Sequence, residues 1–128
     1  MSALSSYDYA LIRVVPDVER GERLNVGVLL FCRTRRFLGV RIHLDEARTL
    51  ILAPDLDLAA LQQQLDNIAR ICEGGPDAGI LGQMSRSERF HWLVSPRSTI
   101  IQTSRVHTGL CIDPTDALDH LLKTMVYR

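Results

Sequence analysis

The stretch Asn25-Val26-Gly27-Val28-Leu29-Leu30-Phe31-Cys32 is almost continuously apolar, the pattern of a central strand covered on both sides, with Gly27 as its weak point. The runs on either side alternate instead. Tyr7 to Val15 sets Ala10, Ile12 and Val14 against Tyr7, Tyr9, Leu11 and Arg13, and Phe37 to Leu44 sets Leu38, Val40, Ile42 and Leu44 against Gly39, Arg41 and His43. Pro16 and Asp17 end the first run, and Arg33-Thr34-Arg35-Arg36 turns the second into the third. Three strands with short connections and no helix between them become antiparallel neighbours.

Beyond Pro54 the period changes. Leu58, Leu61, Leu65, Ile68, Ala69 and Cys72 recur at three- and four-residue steps, which predicts a helix from Asp55 or Asp57 to a stop at Gly74-Gly75-Pro76. Residues 74–85 are small and Gly-rich and predict a loop. Ser87 and Glu88, then Phe90, Leu93 and Val94, predict a short helix halted near Pro96, and Thr99 to Ser104 has strand character. Asp113-Pro114-Thr115-Asp116 opens a last helix with an acceptor at the cap, proline in the first position and an acid in the first turn. Leu118, Leu121, Leu122, Met125 and Val126 form its apolar stripe. The expected fold is α+β: a mostly antiparallel sheet of about four strands, with two main helices and one short helix packed on one face, as a single domain over residues 1–128.

With 46% hydrophobic and 23% charged residues among 128, the chain can bury an ordinary core and is not a disordered or fibrous sequence. Its 15 basic and 15 acidic residues cancel, which gives nucleic-acid binding through overall basicity no support. The charge is uneven, however. Residues 1–41 and 86–105 each carry an excess of three positive charges, and residues 42–85 an excess of five negative ones. If the basic segments meet in space, one face of a neutral protein attracts anions. All but Lys123 of the basic residues are Arg, whose fork suits phosphate and carboxylate, although an Arg-favouring genome accounts for the same count. Cys32, Cys72 and Cys111 are odd in number and lack C-x-x-C spacing, the N-terminus has no leader pattern, and no apolar run reaches membrane-spanning length, so a reducing cytoplasm is the expected setting and a membrane is not.

Two longer signatures stand out. Tyr9-x-x-x-Arg13-Val14-Val15-Pro16-Asp17 leads into Glu19-Arg20-Gly21-Glu22-x-x-Asn25-Val26-Gly27-Val28; the second runs Phe90-x-Trp92-Leu93-x-x-Pro96-Arg97-Ser98-Thr99-Ile100-Ile101-Gln102, then Val106-His107-Thr108-Gly109-Leu110 and Asp113-Pro114. This set resembles the bacterial family catalogued as domain of unknown function 3037, over nearly the whole chain, with residues 74–85 the vaguest part. The resemblance implies a small stand-alone protein and no particular reaction. Some members are encoded beside kinase-like toxin proteins, which makes such a neighbour the expected partner.

The candidate binding residues are Arg13, Arg20, Glu22, Asn25, Arg97, Ser98 and His107. Arg20, Glu22 and Asn25 lie in or beside a connection longer than a hairpin needs. There Arg20 can hold an anion, Glu22 take a proton and Asn25 orient a ligand; equally, Glu22 can pair with an Arg while Asn25 satisfies loop backbone. Arg97 and Ser98 can hold an oxyanion, with His107 the neutral-pH proton carrier nearest either signature, yet Ser98 lacks a G-x-S-x-G elbow and loop-stabilising hydrogen bonds are the commoner use. His107 and Cys111 have no second pair to complete a zinc site, and the glycines at 74, 75, 79 and 82 form neither phosphate-loop nor dinucleotide pattern, so neither metal nor cofactor is expected.

Two functions are carried forward. The first is an accessory protein, not demonstrably enzymatic, that recognises a partner through Arg-rich loops and a sheet edge. The second is a small enzyme or ligand-binding protein for a phosphate- or carboxylate-bearing substrate. A homodimer is compatible with either. Nucleic-acid binding ranks below both, because aromatics are only 5% of the chain and no run mixes them with basic residues.

Overall fold

The computed structural model describes residues 3–17, 19–96 and 99–127. It is α+β, with one antiparallel sheet of five strands among the described residues. The first three are consecutive neighbours: β1 (Ser5–Val14), β2 (Leu24–Cys32) and β3 (Phe37–Ile42). The free edge of β1 is then shared by two strands placed end to end. β4 (Ile101–Thr103) pairs with Ile12–Val14, and β5 (His107–Cys111) pairs with Ser5–Tyr9. Sequence patterning anticipates β4 but not β5, whose polar, Gly-containing run has no apolar alternation. Its fit depends on β1: Gly109 stands opposite Tyr7, and a Cβ there would come within 2.6 Å of the tyrosine ring.

The four longer helices each start on a side-chain acceptor. Asp45 accepts the Arg48 amide to begin α1 (Glu46–Leu52), a helix that the sequence reading omits, and Asp57 accepts the Ala60 amide to begin α2 (Leu58–Glu73). The expected loop at 74–85 holds a 3-10 turn, Pro76–Ala78, and one further turn, α3 (Gly79–Gly82). α4 (Arg86–Leu93) is capped by Ser85, two residues before the Ser expected for it, through a reciprocal pair with Glu88. α5 (Pro114–Leu121) starts at Asp113 as expected and runs on into a wider π turn, Leu122–Val126.

The expectation that the helices gather on one sheet face is incorrect. Leu61, Leu65 and Cys72 of α2 with Phe90 and Leu93 of α4 cover Ile12, Val14, Leu29 and Phe31. Leu118, Leu121 and Val126 cover the opposite face at Leu11, Val28, Leu30 and Cys32. The reason lies in β2 itself. Both of its faces are apolar, so a single helical layer would leave Val28 and Leu30 in water. α2 and α4 therefore form one layer and α5 the other.

Candidate functional site

The geometry of the site begins with an irregularity in β2. Ile12 pairs with Gly27 but Arg13 pairs with Asn25, so Val26 is an extra residue in the ladder. Val26 packs into the α2 layer, and a Cβ on Gly27 would project the same way, toward Ile12 and Ile42. The extra residue resets the alternation and places Asn25 on the α5 face beside Arg13. There Arg13 Nε donates to Asn25 Oδ1 at 3.2 Å, and Asn25 Nδ2 donates to the Met125 carbonyl at 3.1 Å. The π turn presents these carbonyls, and Arg48 Nη1, from α1, reaches that of Val126 at 3.5 Å.

Arg13, Arg23, Asn25 and Arg48 with the Met125–Val126 backbone thus line a cavity of about 290 Å³. A second cavity of about 500 Å³ adjoins it, sharing Arg23, Leu24 and Arg48 and continuing past Glu22, Ile51 and Leu52. Ion pairs among the described residues join Arg20 to Glu22 and Arg41 to Asp119; none involves Arg13, Arg23 or Arg48. Burial lowers the affinity of Arg13 for its proton, and the Arg23 charge beside it adds to that effect. Both influences act against a positive charge that no described carboxylate pairs with. Three guanidinium groups around one polar cavity can hold an anion, and the Asn25 amide adds a neutral polar contact.

The structure brings together Arg13 and Asn25 of the sequence candidates. Arg20 and Glu22 pair with each other in an exposed loop shaped by Asp17, whose Oδ1 accepts the Glu19 and Arg20 amides, and by Gly21 at a positive φ of 71°. That is the pairing alternative for Glu22, although Glu22 also borders the larger cavity. His107 stands opposite Tyr9, with ring centres 5.3 Å apart. It shares the α5 face with Arg13 but lies four residues further along β1, roughly 13 Å away. Arg97 and Ser98 lie outside the described residues. Their neighbours Ile101 and Ile100 meet Val14, the last residue of β1, and Val15 just beyond it, which brings the chain of the second basic segment against the first at the end of β1.

Arg23 and Arg48 are absent from the sequence candidates. Of the other arginines, Arg41 pairs with Asp119, and Arg35 donates to Ser5 and to the Ile112 carbonyl. Among the described residues no group of three or more His, Cys, Asp or Glu is placed to hold a metal ion, and no helix is long and apolar enough to cross a membrane. The family described as "Protein of unknown function (DUF3037)" matches residues 9–126, as the two signatures led one to expect. No curated protein and no solved structure matches the chain.

Proposed function

We propose that this chain, which belongs to the DUF3037 family, is a binding protein for a phosphate or carboxylate group held by Arg13, Arg23 and Arg48. One observation carries the reading: three arginines from β1, the β2 approach and α1 border one cavity, and no described carboxylate pairs with any of them. Protein groups normally offset such clusters; here a ligand anion supplies the missing charge. Binding without turnover is preferred because His107, the proton carrier considered in the sequence, is too distant to serve this cavity. A reducing, cytoplasmic setting suits the three buried free thiols.

The test is melting temperature in sulfate or phosphate against chloride at matched ionic strength. The divalent anions should raise it further, and Arg48→Ala and Arg13→Ala should each remove the excess that generic salt exclusion leaves in place. Equal behaviour of wild type and both variants sinks the reading.

Recognition of a protein partner is kept as a second reading because a different surface favours it. Leu4, Leu110 and Ile112 are exposed along the β5 edge, close to Arg35 in the β2–β3 turn. If a kinase-like neighbour is the partner, Leu110→Asp should release it while phosphate binding persists. A neighbour that wild-type protein fails to retain removes this reading.

A further inference from the structure

Resting on the anion-binding reading, we infer that the ligand is a single-chain amphiphile, with its anionic head among Arg13, Arg23 and Arg48 and an alkyl or acyl tail along Leu24, Ile51 and Leu52. The cavity at the head continues into a larger one through shared walls, and the character of the lining changes along the way. Polar groups crowd the first: three guanidiniums, one side-chain amide and the π-turn backbone. Aliphatic side chains dominate the far end of the second, and Ile51 is 82% exposed there. Ile51 is not isolated: with Leu24 and Leu52 it makes a contiguous apolar wall beside arginines that no described carboxylate pairs with, a surface suited to an apolar cover. Together the two volumes, about 290 and 500 Å³, fall within the size of small-molecule sites.

Charge and shape narrow the class. The larger cavity borders Glu22 and adds no arginine to the shared Arg23 and Arg48, so it offers no second anion site beyond the head. Among the described residues lining either cavity there is no aromatic ring on which a nucleobase could stack, which argues against a nucleotide. An aliphatic chain needs only the aliphatic walls that are present. The arginine stems of Arg23 and Arg48, shared by both cavities, supply further methylene surface at the junction.

Isothermal titration with inorganic phosphate, butyl, hexyl and octyl phosphate below micelle-forming concentrations, and adenosine monophosphate tests the inference. Affinity should rise along the alkyl series, by up to about fourfold per buried methylene, and adenosine monophosphate should bind no tighter than phosphate. Ile51→Ser, at an exposed position that does not endanger folding, should reduce the ratio of octyl phosphate to phosphate affinity. Arg48→Ala should weaken every ligand in the series. A flat series with phosphate still bound overturns the amphiphile and leaves the anion site standing. Adenosine monophosphate outbinding octyl phosphate overturns it as well. No binding by any member removes the anion reading and this inference together.

Discussion

The amide of Leu11 donates to the Ser104 hydroxyl oxygen at 2.8 Å, and the Ser104 amide donates back to the Leu11 carbonyl at 2.8 Å. Ser104 sits where β4 ends and β5 has not begun, so its side chain satisfies a β1 amide that the broken ladder leaves open. The serine is 5% exposed and water has little access to replace it. Ser104→Ala should cost about 1–3 kcal/mol, the penalty of an unsatisfied buried donor. Urea denaturation measures it, with Thr103→Ala, whose hydroxyl bonds Val94 at 3.3 Å in a less buried position, as the milder comparison.

Truncation on either side of the sheet should be comparably damaging. Leu30 is fully buried under α5, and Leu65, on the inner face of α2, is fully buried against the opposite side of the sheet. Leu30→Ala and Leu65→Ala should each lower stability by about 2–5 kcal/mol. An unchanged midpoint for one of them in chemical denaturation means that its layer does not form in solution.

Gly27 links stability to the site. A Cβ there would lie 2.8 Å from the Arg41 backbone oxygen and 3.1 Å from the Ile12 side chain. The obstacle is main chain, so β2 and β3 must separate to admit it. Gly27→Ala should cost about 1–3 kcal/mol and, by disturbing the bulge that aims Asn25 at Arg13, weaken phosphate binding as well. Calorimetry at a temperature where the variant stays folded separates the two effects.

Arg23 and Arg48 should behave in the opposite manner. Both are exposed and neither is in an ion pair among the described residues. Arg23→Ala and Arg48→Ala should move stability by no more than about 0.5 kcal/mol in chloride and yet abolish the sulfate-specific rise in melting temperature. Loss of fold in either variant would make these arginines structural braces.

The Cys72 thiol gives the fold an alkaline limit. Burial pushes it from an ordinary 9.0 up to about 12, so the folded protein retains a proton that the unfolded chain releases. Stability from this group is intact below pH 9 and declines from there toward pH 12. Between pH 8 and pH 10.5 the wild type should lose about 1–2 kcal/mol more than Cys72→Ala. The slopes are compared, not the absolute values, because the smaller side chain also leaves a cavity.

The backbone plan is legible where an apolar period or a cap marks it, as at β1, β2, β3, α2 and α5. It is obscure where neither does. α1 is only seven residues long and directs Leu50 and Ile51 outward, so it shows no inward stripe; the available signal was Asp45 three residues ahead of Arg48 with Glu46 between them. Missing α1 meant missing Arg48. β5 is defined by its backbone pairing and by the ring of Tyr7, which leaves no pattern in its own side chains. The weak point at Gly27 was visible in the run 25–32, but its consequence, the turning of Asn25 onto the Arg13 face, needed the register of the neighbouring strand.

The shared edge of β1 also sets an order of events for a chain leaving the ribosome. β1 emerges first and gains β2 almost at once, whereas its other partners lie far downstream, Thr103 for Ile12 and Cys111 for Ser5. Closing so long a loop is the slow kind of contact in folding. Until it closes, the nascent protein carries a bare strand edge with the Leu11 amide open to any extended segment that passes. Pulse-labelled exchange during refolding should accordingly protect β2 amides before that of Leu11. A chain cut before Ile101 keeps this edge permanently, and its fate is self-association.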